Sequence, residues 1–103
     1  MYYMLYATAK DSEEAKFVTR KLVEEKLIAC ANIFPINSIY WWNNEINEDD
    51  EFALILKTNK TKINSVIERI KELHSYDVPC IVAYKIVKGN KDYLQWINQS
   101  ITD

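Results

Sequence analysis

The segment HSYDVPC, residues 74–80, concentrates the side chains of this chain that could do chemistry. It holds the only histidine, His74, and places Tyr76, Asp77 and Cys80 within six further positions. Imidazole and thiolate are ligands that suit copper and zinc, whereas a phenol or carboxylate beside an amine can exchange protons. Both chemistries need partners that the fold brings from elsewhere in the chain.

A metal site at His74 would need two or three converging ligands, and Cys80 is the only soft donor nearby in sequence. The structural alternative is that His74 follows Ile70 at helical spacing and extends an apolar stripe to the end of a helix. The helix dipole favours the charged form of a histidine in that position. We favour the structural interpretation and keep His74 and Cys80 as candidate metal ligands.

Lys57 ends an apolar run, and together with Tyr76 and Asp77 it could serve acid–base chemistry or an anion pocket. A surface or interface lysine is the simpler interpretation, because the sequence positions no partner beside it. The candidates for a ligand cleft are therefore Lys57, His74, Tyr76 and Asp77. The acidic run EDDE at 48–51 lacks the glycine and spacing of a calcium loop, so we interpret it as a solvated hairpin face.

Apolar periodicity predicts the order strand, helix, strand, strand, helix, strand, helix. Strands are expected over 2–8, 29–42, 52–58 and 80–87. Helices are expected from a cap at Asp11 to Leu27, over 61–74 and over 91–101. The first helix should bury one face, formed by Ala15, Val18, Leu22 and Val23.

Local signals mark the ends of these elements. Asp11 and Glu14 have the spacing of a capping box, and an asparagine at position 90 can cap the last helix. Asn43 and Asn44 suit a tight hairpin turn, because asparagine tolerates the left-handed backbone that such a turn requires. Pro35 removes a backbone donor from the second strand, so we expect a bulge or a sheet edge there.

Two strand-helix-strand units joined by a hairpin predict an α+β, ferredoxin-like split βαβ sandwich, βαββαβ plus a C-terminal helix. In a monomer the hairpin would leave Tyr40, Trp41, Trp42 and Ile46 open to water, because adjacent tryptophans point to opposite sides of a strand. A closed ring of identical subunits, with each hairpin pairing with a neighbour's edge, would bury them. We expect these four residues at a subunit interface.

Composition limits the classes of partner. The chain has 103 residues, 49% of them apolar, with 13 basic against 15 acidic side chains. That length predicts one domain over 1–103, and the charge balance gives no positive field for nucleic acid. No run of about 18 apolar residues and no positively charged signal start is present, so we expect a cytoplasmic protein without a membrane partner. Cys30 and Cys80 lack CxxC spacing and are expected as reduced thiols.

Five motifs, in order along nearly the whole chain, resemble the CutA divalent-cation-tolerance family. They are KLVEEKLIAC at 21–30, SIYWW at 38–42, LILKT at 54–58, HSYDVP at 74–79 and GNKDYLQWI at 89–97. The resemblance implies a homotrimer held by long hairpins, with an architecture related to the PII signalling proteins. It also implies a non-enzymatic role in tolerance of copper and other divalent cations.

The chain departs from this family where metal binding is implied. The cysteine at the end of the first strand is replaced by Ala7, and Leu73 stands where some relatives carry a second histidine. Cys80 replaces a common glutamate, and His74 alone remains of those ligands. The resemblance therefore implies copper(II), another divalent cation or a small ligand in clefts between subunits, and no required cofactor.

Two further functions remain open at the level of sequence. A PII-like sensor would present a small-molecule signal to a partner protein, but it needs a long mobile loop and the hairpin here has a short turn. An unknown enzyme would use Lys57, Tyr76 and Asp77, and only their clustering favours it.

Overall fold

The computed structural model of the chain describes residues 1–102 and contains one four-stranded antiparallel sheet and three α-helices. In chain order the elements are β1 (Tyr2–Ala9), α1 (Ser12–Glu24), β2 (Cys30–Trp42), β3 (Glu45–Asn59), α2 (Ile63–Leu73), β4 (Ile81–Lys85) and α3 (Lys91–Ile101), with a 3-10 turn at Lys60–Lys62. The strand order β2-β3-β1-β4 is consistent with the predicted ferredoxin-like arrangement and confirms the α+β class. In this range no helix is long and apolar enough to cross a bilayer.

The predicted cap of α1 is confirmed, although its box is half formed. The side chain of Asp11 accepts the backbone N–H of Glu14 at 2.8 Å. The Glu14 carboxylate accepts from the backbone of Lys10 at 3.0 Å, so it does not reach back to the cap residue as a capping box requires. The helix ends at Glu24, before the predicted Leu27, because Lys26 takes a left-handed backbone with φ of 57°.

The long β2–β3 ribbon is paired without interruption from Cys30 opposite Lys57 to Trp42 opposite Glu45. Its two-residue turn has φ of 52° at position 43 and 62° at position 44, as the two asparagines predict. Pro35 keeps its partner in this register, so there is no bulge. The proline is tolerated because β2 is an edge strand of the sheet.

Helices α1 and α2 pack on one face of the sheet. The buried side chains of this core are Leu5, Ala7, Ala9, Ala15, Val18, Leu22, Ile28, Leu54, Leu56, Val66 and Ile70. The prediction that Val23 joins them is wrong, because that side chain is 42% exposed. One residue step turns a helix by about 100°, which takes Val23 off the face that Leu22 presents to the sheet.

Helix α3 packs on the opposite face, at the end where β1 and β3 meet the start of β2. The side chain of Asn59 donates to Asn98 at 2.9 Å, and the Tyr93 hydroxyl lies 3.3 Å from the Cys30 thiol. Trp96 of this helix is 42% exposed. The other end of the same sheet face is left for the loop between α2 and β4.

Candidate functional site

The loop at 74–80 is fixed where it leaves α2. The Glu14 carboxylate accepts the backbone N–H of Ser75 at 2.9 Å while its other oxygen accepts from Lys10. The side chain of His74 is 1% exposed, and its Nε2 lies 3.8 Å from the same carboxylate. Burial alone would raise the pKa of Glu14, but these hydrogen bonds and the nearby imidazole lower it overall. The loop is therefore tied to the start of α1 by an ionised carboxylate.

Both ring nitrogens of His74 are already engaged. Nδ1 accepts the backbone N–H of Tyr76 at 3.0 Å, which leaves Nε2 as the protonated nitrogen, and Nε2 donates to the carbonyl of Thr8 at 2.6 Å. A metal would need a free lone pair on one of these nitrogens. The histidine also forms the C-terminal cap of α2, so the structure places it where the structural interpretation expects it.

Cys80, at the end of the loop, contacts Thr8 but does not complete a ligand set with His74. Desolvation and the charge of Glu51 raise the pKa of the Cys80 thiol, against a hydrogen bond with Thr8 that lowers it. Thiolate, the form that binds soft metals, is thereby disfavoured. Across residues 1–102 no three histidine, cysteine, aspartate or glutamate side chains converge in a group that could hold a metal. The residues of one subunit thus do not fit a copper site at His74 and Cys80.

The position where the resemblance implies a cysteine is a core alanine, which offers no metal ligand. Ala7 is 1% exposed and lies in the core between the sheet and its two helices. Its neighbours across the sheet are Leu54 and Ile81. Because successive strand residues face opposite sides, Ala7 points away from the face that Tyr6 and Thr8 present.

A cavity of about 710 Å³ opens between the 74–80 loop and one face of the β2–β3 ribbon. Its walls include four aromatic rings, from Tyr6, Tyr40, Trp42 and Tyr76, and three carboxylates, from Asp49, Glu51 and Asp77. Of the described residues that line it, none is a lysine, arginine or histidine. The cavity is therefore anionic and aromatic, and its volume is within the range of small-molecule sites.

Two of the carboxylates are paired with phenols. The Tyr76 hydroxyl donates to Oε2 of Glu51 at 2.9 Å, and the Tyr40 hydroxyl donates to Oδ2 of Asp49. Burial and this bond to Glu51 raise the pKa of Tyr76, and the bond to Asp49 raises the pKa of Tyr40. Both phenols are thus neutral hydrogen-bond donors at physiological pH.

Glu51 differs from the other two carboxylates in its burial. It is 7% exposed, and among residues 1–102 its side chain accepts one hydrogen bond, from Tyr76. Within the described chain it forms no ion pair. Its charge contributes to the raised pKa of Tyr6, after burial and the nearby Cys80 thiol. A buried carboxylate without a cationic neighbour is the main electrostatic feature of the cavity.

Lys57 is not brought to Tyr76 and Asp77. It points to the same sheet face as Glu51, but six residues further along β3, a distance of about 20 Å. There its ammonium group donates to the side-chain oxygen of Asn32, close to α3. The group of Lys57, Tyr76 and Asp77 that the sequence suggested is therefore not assembled within one chain. An enzyme that used Tyr76 and Asp77 would lack the amine of Lys57 beside them.

The residues predicted at a subunit interface lie on both faces of the ribbon. Trp41 and Ile46 are partners in the β2–β3 register and are 72% and 66% exposed. Tyr40 and Trp42 point the other way and line the cavity. Their contact with a second subunit stays a prediction, and the ribbon presents two distinct surfaces for it.

The solvated hairpin face predicted for 48–51 is confirmed for Glu48, Asp49 and Asp50, which are exposed, and is wrong for Glu51, which is 7% exposed. The sequence interpretation also gave no sign that Asp49 and Glu51 line a cavity. Strand alternation carries the missing signal, because β3 continues through this acidic run as far as Glu45. Residues 49 and 51 then share a face with Ala53, which is fully buried, while 48 and 50 face the other way. Counting back from the buried residues of β3 would have placed both carboxylates on the cavity side.

The chain matches the family model described as CutA1 divalent ion tolerance protein over residues 3–100. The divalent-cation tolerance protein CutA of Archaeoglobus fulgidus is 44% identical over 101 residues, which cover 98% of this chain and 99% of that protein. The protein of the same name from Pyrococcus horikoshii is 45% identical over 94 residues, covering 91% of this chain and 92% of that protein.

A solved structure, that of the periplasmic divalent cation tolerance protein CutA from Archaeoglobus fulgidus, has the same fold with a TM-score of 0.97. It is 43% identical to this chain, and the match covers 99% of this chain and 100% of that one. The family model and these relatives confirm the resemblance found in the sequence motifs. This chain belongs to the CutA1 divalent ion tolerance family.

Proposed function

We propose that this chain serves divalent-cation tolerance as a cytoplasmic, non-enzymatic homotrimer that binds a positively charged ligand at inter-subunit clefts. The observation that carries the proposal is the anionic cavity beside the 74–80 loop, whose described lining has three carboxylates and no cationic side chain. Family membership supplies the link to divalent cations. The ligand is a divalent metal or a small molecule, and the charge of the cavity selects a cation in either case.

The trimer is supported by the exposed ribbon. Trp41, Ile39 and Ile46 are each more than half exposed, and β2 presents an unpaired edge. Exposed apolar groups of this size on an edge strand favour association, because a neighbouring copy would bury the indole and pair the free backbone groups. The same ribbon forms one wall of the cavity through Tyr40 and Trp42, so a neighbour that packs on it would border the ligand.

A cytoplasmic location is supported by Cys30 and Cys80, which are both free thiols and suit a reducing compartment. Fractionation of cells that express the full chain tests this part of the proposal. The PII-like sensor is less well supported, because the ribbon ends in a two-residue turn and offers no long loop to a partner protein.

Two measurements test the central proposal. Sedimentation of the purified chain at micromolar concentration should give a mass of three subunits, and a stable, folded monomer would contradict the assembly. Calorimetric titration with Mn²⁺, Mg²⁺ or Cu²⁺ should show binding that Glu51→Gln weakens and His74→Ala leaves intact. Binding lost in His74→Ala but retained in Glu51→Gln would move the site away from the cavity.

A further inference from the structure

The lining of the cavity defines a narrower class of ligand than a cation of any kind. Aromatic faces attract cations through their negative π surface, and this attraction is larger for partly desolvated organic ammonium groups. Four aromatic side chains and three carboxylates meet around one space of about 710 Å³. Rings and carboxylates in this combination match an ammonium group attached to an apolar body.

Glu51 supplies an independent reason to expect a cation in this space. Its side chain is 7% exposed and lines the cavity, and Tyr76 donates its one recorded hydrogen bond, to Oε2. Oε1 has no recorded partner, and no lysine, arginine or histidine of the described chain forms an ion pair with either oxygen. A cation at Oε1 would add a charge-assisted partner to the one bond that Glu51 accepts from Tyr76.

The donors of the cavity suit an ammonium ion better than a metal ion. Magnesium and calcium require about six or more oxygen ligands in a tight shell, and copper or zinc requires imidazole or thiolate. Over residues 1–102 no three metal-ligating side chains converge, and both nitrogens of His74 are engaged. An ammonium ion needs only one carboxylate and nearby π faces, and both are present at Glu51, Tyr76 and Tyr6.

We propose that this cavity binds a small organic ammonium cation, with the charged group at Glu51 and the apolar body against the aromatic walls. This inference rests on the proposed function, since it names the class of cation for the same cavity. Tyr76 holds Oε2 of Glu51 and leaves Oε1 for the ligand. Tyr6 and Tyr40, which line the same cavity, provide apolar area for the body of the ligand.

The test uses two probes of the same shape, 2-phenylethylamine, which is charged at neutral pH, and 2-phenylethanol, which is neutral. Calorimetric titration of the full chain should give at least about tenfold tighter binding for the amine than for the alcohol. Glu51→Gln should remove most of that difference. Glu48→Gln is the matched control, because Glu48 faces the other side of β3, and it should leave the amine affinity unchanged.

Folding of each variant is checked by circular dichroism and thermal unfolding. If Glu51→Gln fails to fold, Asp49→Asn replaces it, because Asp49 is exposed and its neutralisation should still weaken the amine by several-fold. Equal affinities for amine and alcohol in the wild type would overturn the inference. An amine affinity that neither variant lowers relative to Glu48→Gln would overturn it as well.

The remaining outcomes separate this inference from the proposed function. Mn²⁺, Mg²⁺ or Cu²⁺ binding that depends on Glu51, without amine binding, would overturn the ammonium assignment and leave the cation site standing. If neither the metal ions nor the amine binds, both the proposed cation binding and the ammonium assignment are wrong. If neither class binds and Glu51→Gln instead dissociates the assembly, a neighbouring subunit provides the counter-charge, and the ligand assignment is wrong.

Discussion

The Tyr76 hydroxyl donates to Oε2 of Glu51 at 2.9 Å, and this bond joins the α2–β4 loop to the middle of β3. It orients a buried carboxylate and at the same time closes one side of the cavity. The loop has a second attachment at its start, where Glu14 accepts the backbone of Ser75. The Glu14 carboxylate thus fixes the position of the loop, and the Glu51 carboxylate contributes charge to the cavity.

Tyr76→Phe should therefore destabilise the protein by about 1 to 2 kcal/mol, because a buried carboxylate loses its recorded hydrogen-bond donor. Urea unfolding at fixed subunit concentration measures the change, since association contributes to the apparent stability. Tyr84→Phe is the control, because Tyr84 is 53% exposed on β4 and has no recorded hydrogen bond. Equal losses in the two variants would show that the Tyr76 bond is not the cause.

Glu14 should make stability depend on acid pH. Its pKa is lowered in the folded state from the ordinary value of 4.5, so its contribution is fully present above that value. The contribution is lost as the pH falls through the lower, folded-state pKa. Thermal unfolding from neutral to acid pH should show this loss in the wild type. Glu14→Gln should be less stable at neutral pH and show a flatter acid limb.

The control for this profile is Glu13→Gln, because Glu13 lies beside Glu14 in the first turn of α1 and is exposed. It should keep the acid limb of the wild type. Glu14→Gln places an amide opposite the backbone donors of Lys10 and Ser75, which explains the loss expected at neutral pH. An unchanged acid limb in Glu14→Gln would assign the pH dependence to other carboxylates.

The sequence predicted local features better than the contacts between distant segments. Asn43 and Asn44 have the backbone that their residue type favours, and Asp11 caps its helix, because each of these features depends on a few adjacent residues. The bond from Ser75 to Glu14 spans 61 positions and is invisible in either segment alone. The capping spacing predicted the bond from the Glu14 backbone N–H to Asp11 and gave no sign of the bond from Ser75 to the Glu14 carboxylate.

Errors about the site have the same origin. Lys57 was grouped with Tyr76 and Asp77 because an amine, a phenol and a carboxylate could share acid–base chemistry. Only the strand register places the lysine at the far end of the sheet face. The carboxylate of Glu51 was assigned to solvent, and the side of the strand that Asp49 shares with it was not predicted, because β3 was expected to begin at Phe52. Once the strand is extended back to Glu45, alternation assigns the cavity side without further information.

Trp41→Lys should shift the oligomer toward monomer. Trp41 is 72% exposed opposite Ile46 on the ribbon, and a lysine there would place a charge where a neighbour is expected to pack. Sedimentation velocity over a range of concentrations measures the shift, and at least about a tenfold weaker association is expected from the lost aromatic contact. Val87→Lys is the control, because Val87 is 88% exposed and lies outside the ribbon. Identical sedimentation of both variants would exclude Trp41 from the interface.

The turn of the ribbon gives the last prediction. Asn44 has φ of 62°, a conformation that glycine adopts freely and that a β-branched residue resists by roughly 1 to 2 kcal/mol. Asn44→Gly should preserve or raise the free energy of unfolding, and Asn44→Val should lower it by about that amount. Glu45→Val is the control, because residue 45 is already extended within β3, where valine is favourable. Urea unfolding in which Asn44→Val and Glu45→Val are equally stable would mean that the left-handed turn contributes nothing to the ribbon.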